Sequence, residues 1–561
     1  MDVFDEEVDL LVFGAGAGGM SAALSGAING LSVLLCEKTE MVGGTTSTSG
    51  GTAWVPGTAL SVRAGVPDRV EEAAAFLRHV VGNRGGDDLR CAFLASGDAA
   101  IGDLEAHSDV RFVAATAHPD YLDAPGAAYG GRALAPVPFD GRRLGGDFRR
   151  IRPPGAVFMG LGGMMVGRAE LGMLLSPLAS LANLRGTLKV VLPYLRDRLT
   201  HKRGTRLLMG NALVAQLFYS LRQRQVPVWF ESPLADFILE GHEVVGAVVR
   251  TPGGERRVRA RRGVVLATGG IGWNRELRAR LFPPEIADLS QAPAANTGDG
   301  IAAATARLDA SVDDGGDSAG LWMPCSLLKQ ADGTAAVWPH IILDRAKPGL
   351  IAVGRDGRRF VNEAGSYHDF CRGMIEAGLS EAWLIVDDPF IRRYGLGLVM
   401  PGGRGLRRLL RRNYLTRADT PAELARAVGI DAAGLEASIA ANNRFALNGE
   451  DRDYGRGGSV VNRFNGDASR GGNPCLGTME RPPFYALRVV PVDLAGSGGL
   501  KTGEHGEVLT ADARPIPGLY ACGNDAASMF RGTYPGPGTT IGPAIVMGWR
   551  IARRAAGLPL G

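Results

Sequence analysis

Cysteine is scarce in this chain, with six in 561 residues, at positions 36, 91, 325, 371, 475 and 522. No two of them make a C-x-x-C pair, which excludes a zinc knuckle or a local dithiol and suits a reducing compartment. No apolar run approaches the ~20 residues of a membrane-spanning helix. No block of lysine and arginine is interleaved with aromatics, and the net charge is only +4. Nucleic acid is therefore not an expected partner. The start, Met1-Asp2-Val3-Phe4-Asp5-Glu6-Glu7, is acidic where a secretory leader would be basic, so a cytoplasmic location is expected. There is no internal repeat, and nothing in the residue pattern calls for a metal.

Glycine, by contrast, is abundant, and its positions carry the reading. The run Val8-Asp9-Leu10-Leu11-Val12-Phe13 is almost continuously apolar, as a strand buried on both faces should be. Gly14, Gly16 and Gly19 follow at G-x-G-x-x-G spacing. The first allows a tight turn, the second lets backbone approach a pyrophosphate, and the third lets helix and strand pack closely. With 81 glycines in the chain, this spacing alone would be a weak signal. A helix from Gly19 to Ile28, a second strand Ser32–Cys36 and an acid at Glu37 strengthen it, since a carboxylate there suits a ribose hydroxyl and repels a 2′-phosphate. These features indicate a dinucleotide without separating FAD from NAD.

Further signals lie along the chain. Gly43-Gly44-Thr45-Thr46-Ser47-Thr48-Ser49-Gly50-Gly51 could pass for a flexible linker, but it sits inside the nucleotide-binding unit, where bare backbone and small hydroxyls suit a pyrophosphate and a flat ring. Val264-Val265-Leu266-Ala267-Thr268-Gly269-Gly270 reads as a buried strand ending in a glycine turn, and Asn296-Thr297-Gly298-Asp299-Gly300 as another turn. Near the C-terminus, Gly518-Leu519-Tyr520-Ala521-Cys522-Gly523-Asn524 precedes Thr533-Tyr534-Pro535-Gly536-Pro537-Gly538-Thr539-Thr540-Ile541-Gly542-Pro543. Two prolines stiffen the latter ahead of an apolar helix from Ile541 to Ala556. The Tyr534 phenol and the Gly538 N–H are placed to aim at one oxygen, as in an oxyanion hole, with a helix N-terminus behind them that favours negative charge.

In this order, the motifs resemble the FAD-dependent family that includes fumarate reductases and 3-ketosteroid dehydrogenases, over nearly the whole chain. The resemblance implies FAD as cofactor. It implies contacts from Gly14, Gly16, Gly19, Glu37, Lys38, Gly43, Gly44, Thr45, Thr46, Ser49, Gly50 and Gly51. It extends them to Gly269, Gly270, Asp299, Gly523, Asn524, Thr539 and Ile541. The Y-P-G-P-G string is similar to that of the 3-ketosteroid Δ1-dehydrogenases, where the matching tyrosine and glycine bind the C3 carbonyl; that role falls on Tyr534 and Gly538. Tyr367, after Arg358-Arg359-Phe360-Val361-Asn362-Glu363, matches the tyrosine that removes the C2 proton. Tyr121, in His118-Pro119-Asp120-Tyr121, resembles its hydrogen-bonding partner, with Tyr129 as a rival. An unperturbed phenol has a pKa near 10, so a base role needs a neighbour that favours phenolate.

The fold class expected is α/β: a Rossmann-like FAD-binding domain, discontinuous because its motifs occupy both ends, with an inserted α+β substrate domain. The FAD domain takes 1–320 and 489–561, and the substrate domain 321–488. Helices are expected within Ala422–Asn443, with a start signal at Asp431. A further insertion, about 157–206, carries Leu181, Leu184, Leu188, Val191, Leu192, Leu195 and Leu199 at helical spacing, with Pro193 expected to kink it. From Arg168 to Arg206 it holds eight basic residues against Glu170 and Asp197, an excess of six. A leucine stripe flanked by cations is how an interfacial helix holds to anionic lipid; the alternative is an amphipathic helix packed on the FAD domain.

The resemblance thus implies 1,2-desaturation of a 3-ketosteroid, with the C2 proton going to tyrosine and the C1 hydride to flavin N5. The electron acceptor is open, a quinone being one choice. A Δ4-(5α)-ketosteroid dehydrogenase, an enoate reductase and a non-catalytic flavin electron carrier are the alternatives. Dicarboxylate reduction is disfavoured, because histidine is absent from Val492–Lys501 and from the last 56 residues.

Overall fold

The computed structural model describes residues 4–341 and 344–560, with backbone only at 168 and 169. The first three residues of the acidic start and the Arg168 side chain thus lie outside the described residues. One sheet of eight strands organises both termini. Its parallel core places Glu6–Phe13 between Val33–Cys36 and Gly254–Leu266, and the C-terminal strand Pro515–Ala521 lies on the far side of Gly254–Leu266. Alternate residues of the first strand serve two layers, which is why it reads as continuously apolar. Leu10 and Val12 pack with Met20, Leu213 and Ile545, whereas Leu11 and Phe13 pack with Val258 and Ile301. Each such buried side chain contributes about 1.5–3 kcal/mol relative to exposure.

The two ends of the chain meet helix to helix. The Ala17–Ile28 helix packs against Ile541–Ala555, the last helix. A Cβ at Gly548 would lie 2.7 Å from the Gly18 carbonyl oxygen, so only glycine permits this approach.

The second large sheet is antiparallel, in the order Ala335–Pro339, Gly320–Lys329, Phe484–Gly496, Ala382–Asp387, Leu350–Val353. Its long strand Phe484–Gly496 runs past position 488 and leads back to the first sheet. Helices Tyr367–Glu376, Pro421–Val428 and Ala432–Asn448 belong to the same α+β unit. The stretch 421–448 divides as its residues dictate. Gly429, at φ +75°, ends the first helix, and the Asp431 carboxylate accepts from the Gly434 N–H at 2.6 Å to start the second.

In the 157–206 insertion, one helix spans Leu181–Asp197 with Pro193 inside it. Gly186 is the point where the Met173 sulfur of the preceding helix seats; an added Cβ would lie 2.1 Å from it. Tyr194 is the buried residue of this helix. Most of the leucine stripe faces outward: Leu181, Leu188, Leu192, Leu195 and Leu199 are exposed, Leu199 by 83%, while Leu184 and Val191 are half-buried.

Candidate active site

A cleft runs between the two sheets, lined from both ends of the chain. Its floor is the glycine turn, and the collisions an added Cβ would meet show what each glycine does. At Gly14, φ +100°, a Cβ would lie 2.1 Å from the Ala267 carbonyl oxygen. At Gly19 it would lie 1.9 Å from the Gly14 carbonyl oxygen. At Gly16 the nearest atom is Thr46 Oγ1, at 3.9 Å, because that glycine faces the cleft. The first and third glycines therefore serve protein packing. The second leaves open the space a pyrophosphate needs.

The surrounding groups fit a dinucleotide. Glu37, buried, accepts from the Ala15 N–H at 3.0 Å and from the Thr39 N–H and hydroxyl at 2.9 Å, so its carboxylate ties the glycine turn to the second strand. Lys38 donates to Asp299 and to the Thr297 hydroxyl, both at 2.6 Å, bringing two expected cofactor residues into one ion pair beside Glu37. Thr46 Oγ1 accepts from the Ala17 N–H at 3.1 Å. Gly44, Thr45, Ser49, Gly50, Gly51, Gly269, Gly523, Asn524 and Ile541 line the cleft. Gly19, Gly43, Gly270 and Thr539 lie behind that lining. Gly270 donates its N–H to Asp525 at 2.8 Å, and Thr539 donates to the Gly536 carbonyl.

Within the cleft, three tyrosines from distant parts of the chain converge, all buried. The Tyr367 ring stands 5.6 Å from Tyr121 and 5.1 Å from Tyr534, edge to face, while Tyr121 and Tyr534 stack at 5.7 Å. Each is placed by its own local structure. Tyr367 is the first residue of the Tyr367–Glu376 helix, which Ser366 caps by accepting from the Asp369 N–H. Tyr121 is tied to the proline-stiffened turn, its N–H donating to the Pro535 carbonyl at 2.8 Å. Gly538, φ +94°, packs where a Cβ would lie 2.2 Å from the Thr52 carbonyl oxygen. Among the described residues no protein group accepts from the Gly538 N–H, and this residue lines the cleft beside Tyr534. Tyr129 is 57% exposed and does not line the cleft, so the structure brings Tyr121 and not its rival to Tyr367.

Burial governs the electrostatics here. It pushes the Tyr367 phenol well above its ordinary range, and the neighbouring Tyr121 and Tyr534 add to the shift. It raises Tyr534 as well. The same cause pushes Cys522 up to about 12, which makes it an inert core thiol.

Several supporting residues escaped the sequence reading. Asp120, next to Tyr121, is buried and accepts from Trp54 Nε1 at 2.8 Å, from Arg132 at 2.6 Å and from the Ala128 N–H at 3.0 Å. Arg132 also donates to the buried Asp68 at 3.0 Å. Asp525 accepts from the Thr268 N–H and hydroxyl and from Gly270, fastening the A-T-G-G turn to the C-terminal strand. Their only signal was adjacency: Asp120 precedes Tyr121 and Asp525 follows Asn524.

The model of the FAD binding domain family matches residues 9–541. The chain belongs to that family. This FAD-dependent oxidoreductase is 37% identical to a 4-oxocyclohex-2-ene-1-carboxylate 5-dehydrogenase of Sinomonas cyclohexanicum, over 98% of this chain and 94% of that one. It is 35% identical to a 3-oxosteroid 1-dehydrogenase of Mycolicibacterium smegmatis, over 98% and 97%. Among solved structures, a 3-ketosteroid Δ1-dehydrogenase from Sterolibacterium denitrificans in complex with 1,4-androstadiene-3,17-dione matches with a TM-score of 0.91 and 34% identity, covering 98% of this chain and all of the other.

Proposed function

We propose that this flavoenzyme desaturates the C1–C2 bond of a 3-ketosteroid. The observation that carries the reading is the convergence of three phenols and the unspent Gly538 N–H on one end of the cleft. In this reading the Tyr534 O–H and the Gly538 N–H donate to the C3 carbonyl oxygen, so that enolate character develops at C2. Tyr367, as phenolate, accepts the C2 proton, with the Tyr121 O–H donating to the phenolate oxygen before the transfer. Bound FAD supplies the acceptor, at N5, for the hydride leaving C1.

Two relatives act on different rings, and the cleft wall favours the larger one. Met323, Val337, Ile341 and Leu494 line it in one apolar cluster with the tyrosines, Pro339 and Phe158 add to the lining, and His118 and Gln291 are polar groups of it. The arginine of the lining, Arg152, donates to the Thr39 hydroxyl, which itself donates to Glu37. A carboxylate-bearing cyclohexenone would need a cation close by; a steroid needs an apolar wall. The unit built on the antiparallel sheet supplies Met323, Val337 and Tyr367, and on this reading it is the substrate domain.

Anaerobic titration checks the proposal directly. A 4-en-3-one steroid should bleach the flavin and yield the 1,4-diene, while 4-oxocyclohexene carboxylate should bleach it at least tenfold more slowly. Bleaching by the carboxylate alone would reassign the substrate. Bleaching by a saturated 5α-3-ketosteroid but not by the 4-en-3-one, or reduction of an enoate, would favour the alternative reactions, and no bleaching by any ketone would leave an electron carrier.

We further propose that the 157–206 insertion holds the enzyme on anionic membrane. Arg185, Lys189, Arg196, Arg198 and Lys202 flank the exposed leucines and are themselves exposed. They form no ion pair among the described residues, whereas Arg206 pairs with Glu170 at 2.7 Å and Arg203 turns inward to Asn211. No described helix is long and apolar enough to cross a membrane, so attachment would be interfacial. The base of the insertion, Ala156–Phe158, borders the cleft, which would put the site beside the phase where a steroid and a quinone acceptor dissolve. Wild type should pellet with anionic vesicles at low salt and release at high salt, and replacing Leu188, Leu192 and Leu195 by serine should abolish pelleting. A wild type that never pellets removes this part of the proposal.

A further inference from the structure

The residue that follows the proposed base is a fully buried histidine, and both of its ring nitrogens are committed. His368 Nδ1 accepts from the Trp322 backbone N–H at 3.1 Å, on the antiparallel sheet. Its Nε2 lies 2.8 Å from the Gly532 carbonyl oxygen, on the loop that leads into Tyr534. A carbonyl only accepts, so Nε2 carries the proton and the imidazole is neutral. Burial also holds this imidazole below its ordinary range. The charged groups around it are Asp369 and Arg372 on its own helix and Asp317 on the facing loop.

Gly532 is itself pinned. Its φ is +79°, and a Cβ there would lie 2.2 Å from the Ser318 nitrogen. Its N–H donates to Ser497 Oγ at 3.0 Å. The preceding Arg531, also at positive φ, pairs with Asp313 at 2.6 Å and donates to the Arg84 carbonyl. The Gly532 carbonyl is thus a fixed point of the FAD-domain loop. The His368 ring also lies 6.1 Å from the Tyr534 ring, tilted by 38°.

Resting on the function proposed above, we infer that His368 is a positioning residue that sets the distance between the Tyr367 and Tyr534 phenols. Tyr367 starts a helix of the antiparallel-sheet unit, and Tyr534 sits on a loop of the FAD domain. A hydrogen bond from the residue after the first reaches the residue two before the second. The desaturation needs one phenol at the C2 proton and the other at the C3 oxygen of the same ring, and a misplacement of ~1 Å in such an arrangement costs roughly 100-fold in rate. A single neutral imidazole with both nitrogens bonded gives that register without adding a titrating group to the site.

The test uses the FAD-loaded full chain with His368→Leu, which removes both bonds, and His368→Gln, which retains a donor and an acceptor. Flavin bleaching by a 4-en-3-one steroid should slow roughly 100-fold in the leucine variant. Its steroid Kd should stay within threefold of wild type, and its FAD content and melting temperature should be near normal. The glutamine variant should recover at least tenfold of the loss, and the pH profile of bleaching should keep its shape in both. If the leucine variant is not recovered folded, glutamine against the shorter asparagine makes the same comparison. A leucine variant with more than a third of the wild-type rate overturns the inference, as does glutamine no better than its comparator. Loss of an ionisation from the pH profile overturns it too, by making His368 a proton carrier. A wild type that no steroid bleaches overturns the functional reading and this inference with it.

Discussion

Replacing Tyr367 by phenylalanine should lower steroid-dependent flavin reduction on the order of 100-fold or more, the usual contribution of general acid–base catalysis. The ring would remain to pack against Tyr121 and Tyr534, so FAD content should not change. The pH dependence adds a sharper check. Burial holds the phenol protonated at neutral pH, because its pKa lies well above the ordinary value. The ionised fraction, and with it kcat/KM, should therefore rise with pH from 7 toward 10 without a plateau. The phenylalanine variant should lose that rise. Retention of more than a tenth of wild-type turnover would place the base elsewhere.

Replacing Tyr534 by phenylalanine should cost about 3 kcal/mol of transition-state stabilisation, roughly 100- to 200-fold in rate, the scale for one oxyanion donor. The Gly538 N–H would remain as the second donor, which sets the size of the residual activity. Because the lost hydrogen bond polarises the C3 carbonyl, exchange of the C2 proton with solvent should slow in parallel with turnover. A variant slow in turnover yet normal in C2 exchange would show that the residue acts on hydride transfer. Steroid binding should weaken far less than the rate, since the carbonyl oxygen gains charge only as C2 loses its proton.

The backbone-dictated parts of this site were legible one residue at a time. Gly14 and Gly538 stand at positive φ with carbonyl oxygens where a Cβ would go, so glycine is demanded whatever surrounds them. The first strand was legible for a related reason: it serves a layer on each face, and that leaves no polar alternation. The exposed leucines were a different case. Helical periodicity is the same whether a stripe packs on protein or faces outward. Only the fold showed Leu181, Leu188 and Leu192 exposed and Tyr194 as the buried residue. Likewise, Arg203 and Arg206 count as free cations in a composition sum, yet Arg206 pairs with Glu170 inside the insertion and Arg203 donates to Asn211 and to the Ile151 carbonyl outside it.

The sequence alone determined the dinucleotide turn, the ends-together arrangement of the FAD domain and the α/β class, because each rests on local spacing and on residues whose backbone geometry is intrinsic. Tertiary structure decided the rest. It selected Tyr121 over Tyr129, since stacking on Tyr534 requires a position in space that sequence distance does not encode. It supplied the Asp120–Arg132–Trp54 network and the His368–Gly532 link, whose partners lie between 12 and 164 residues apart. Buried polar groups need partners, but which distant chain segment provides them is settled only when the two sheets close around the cleft.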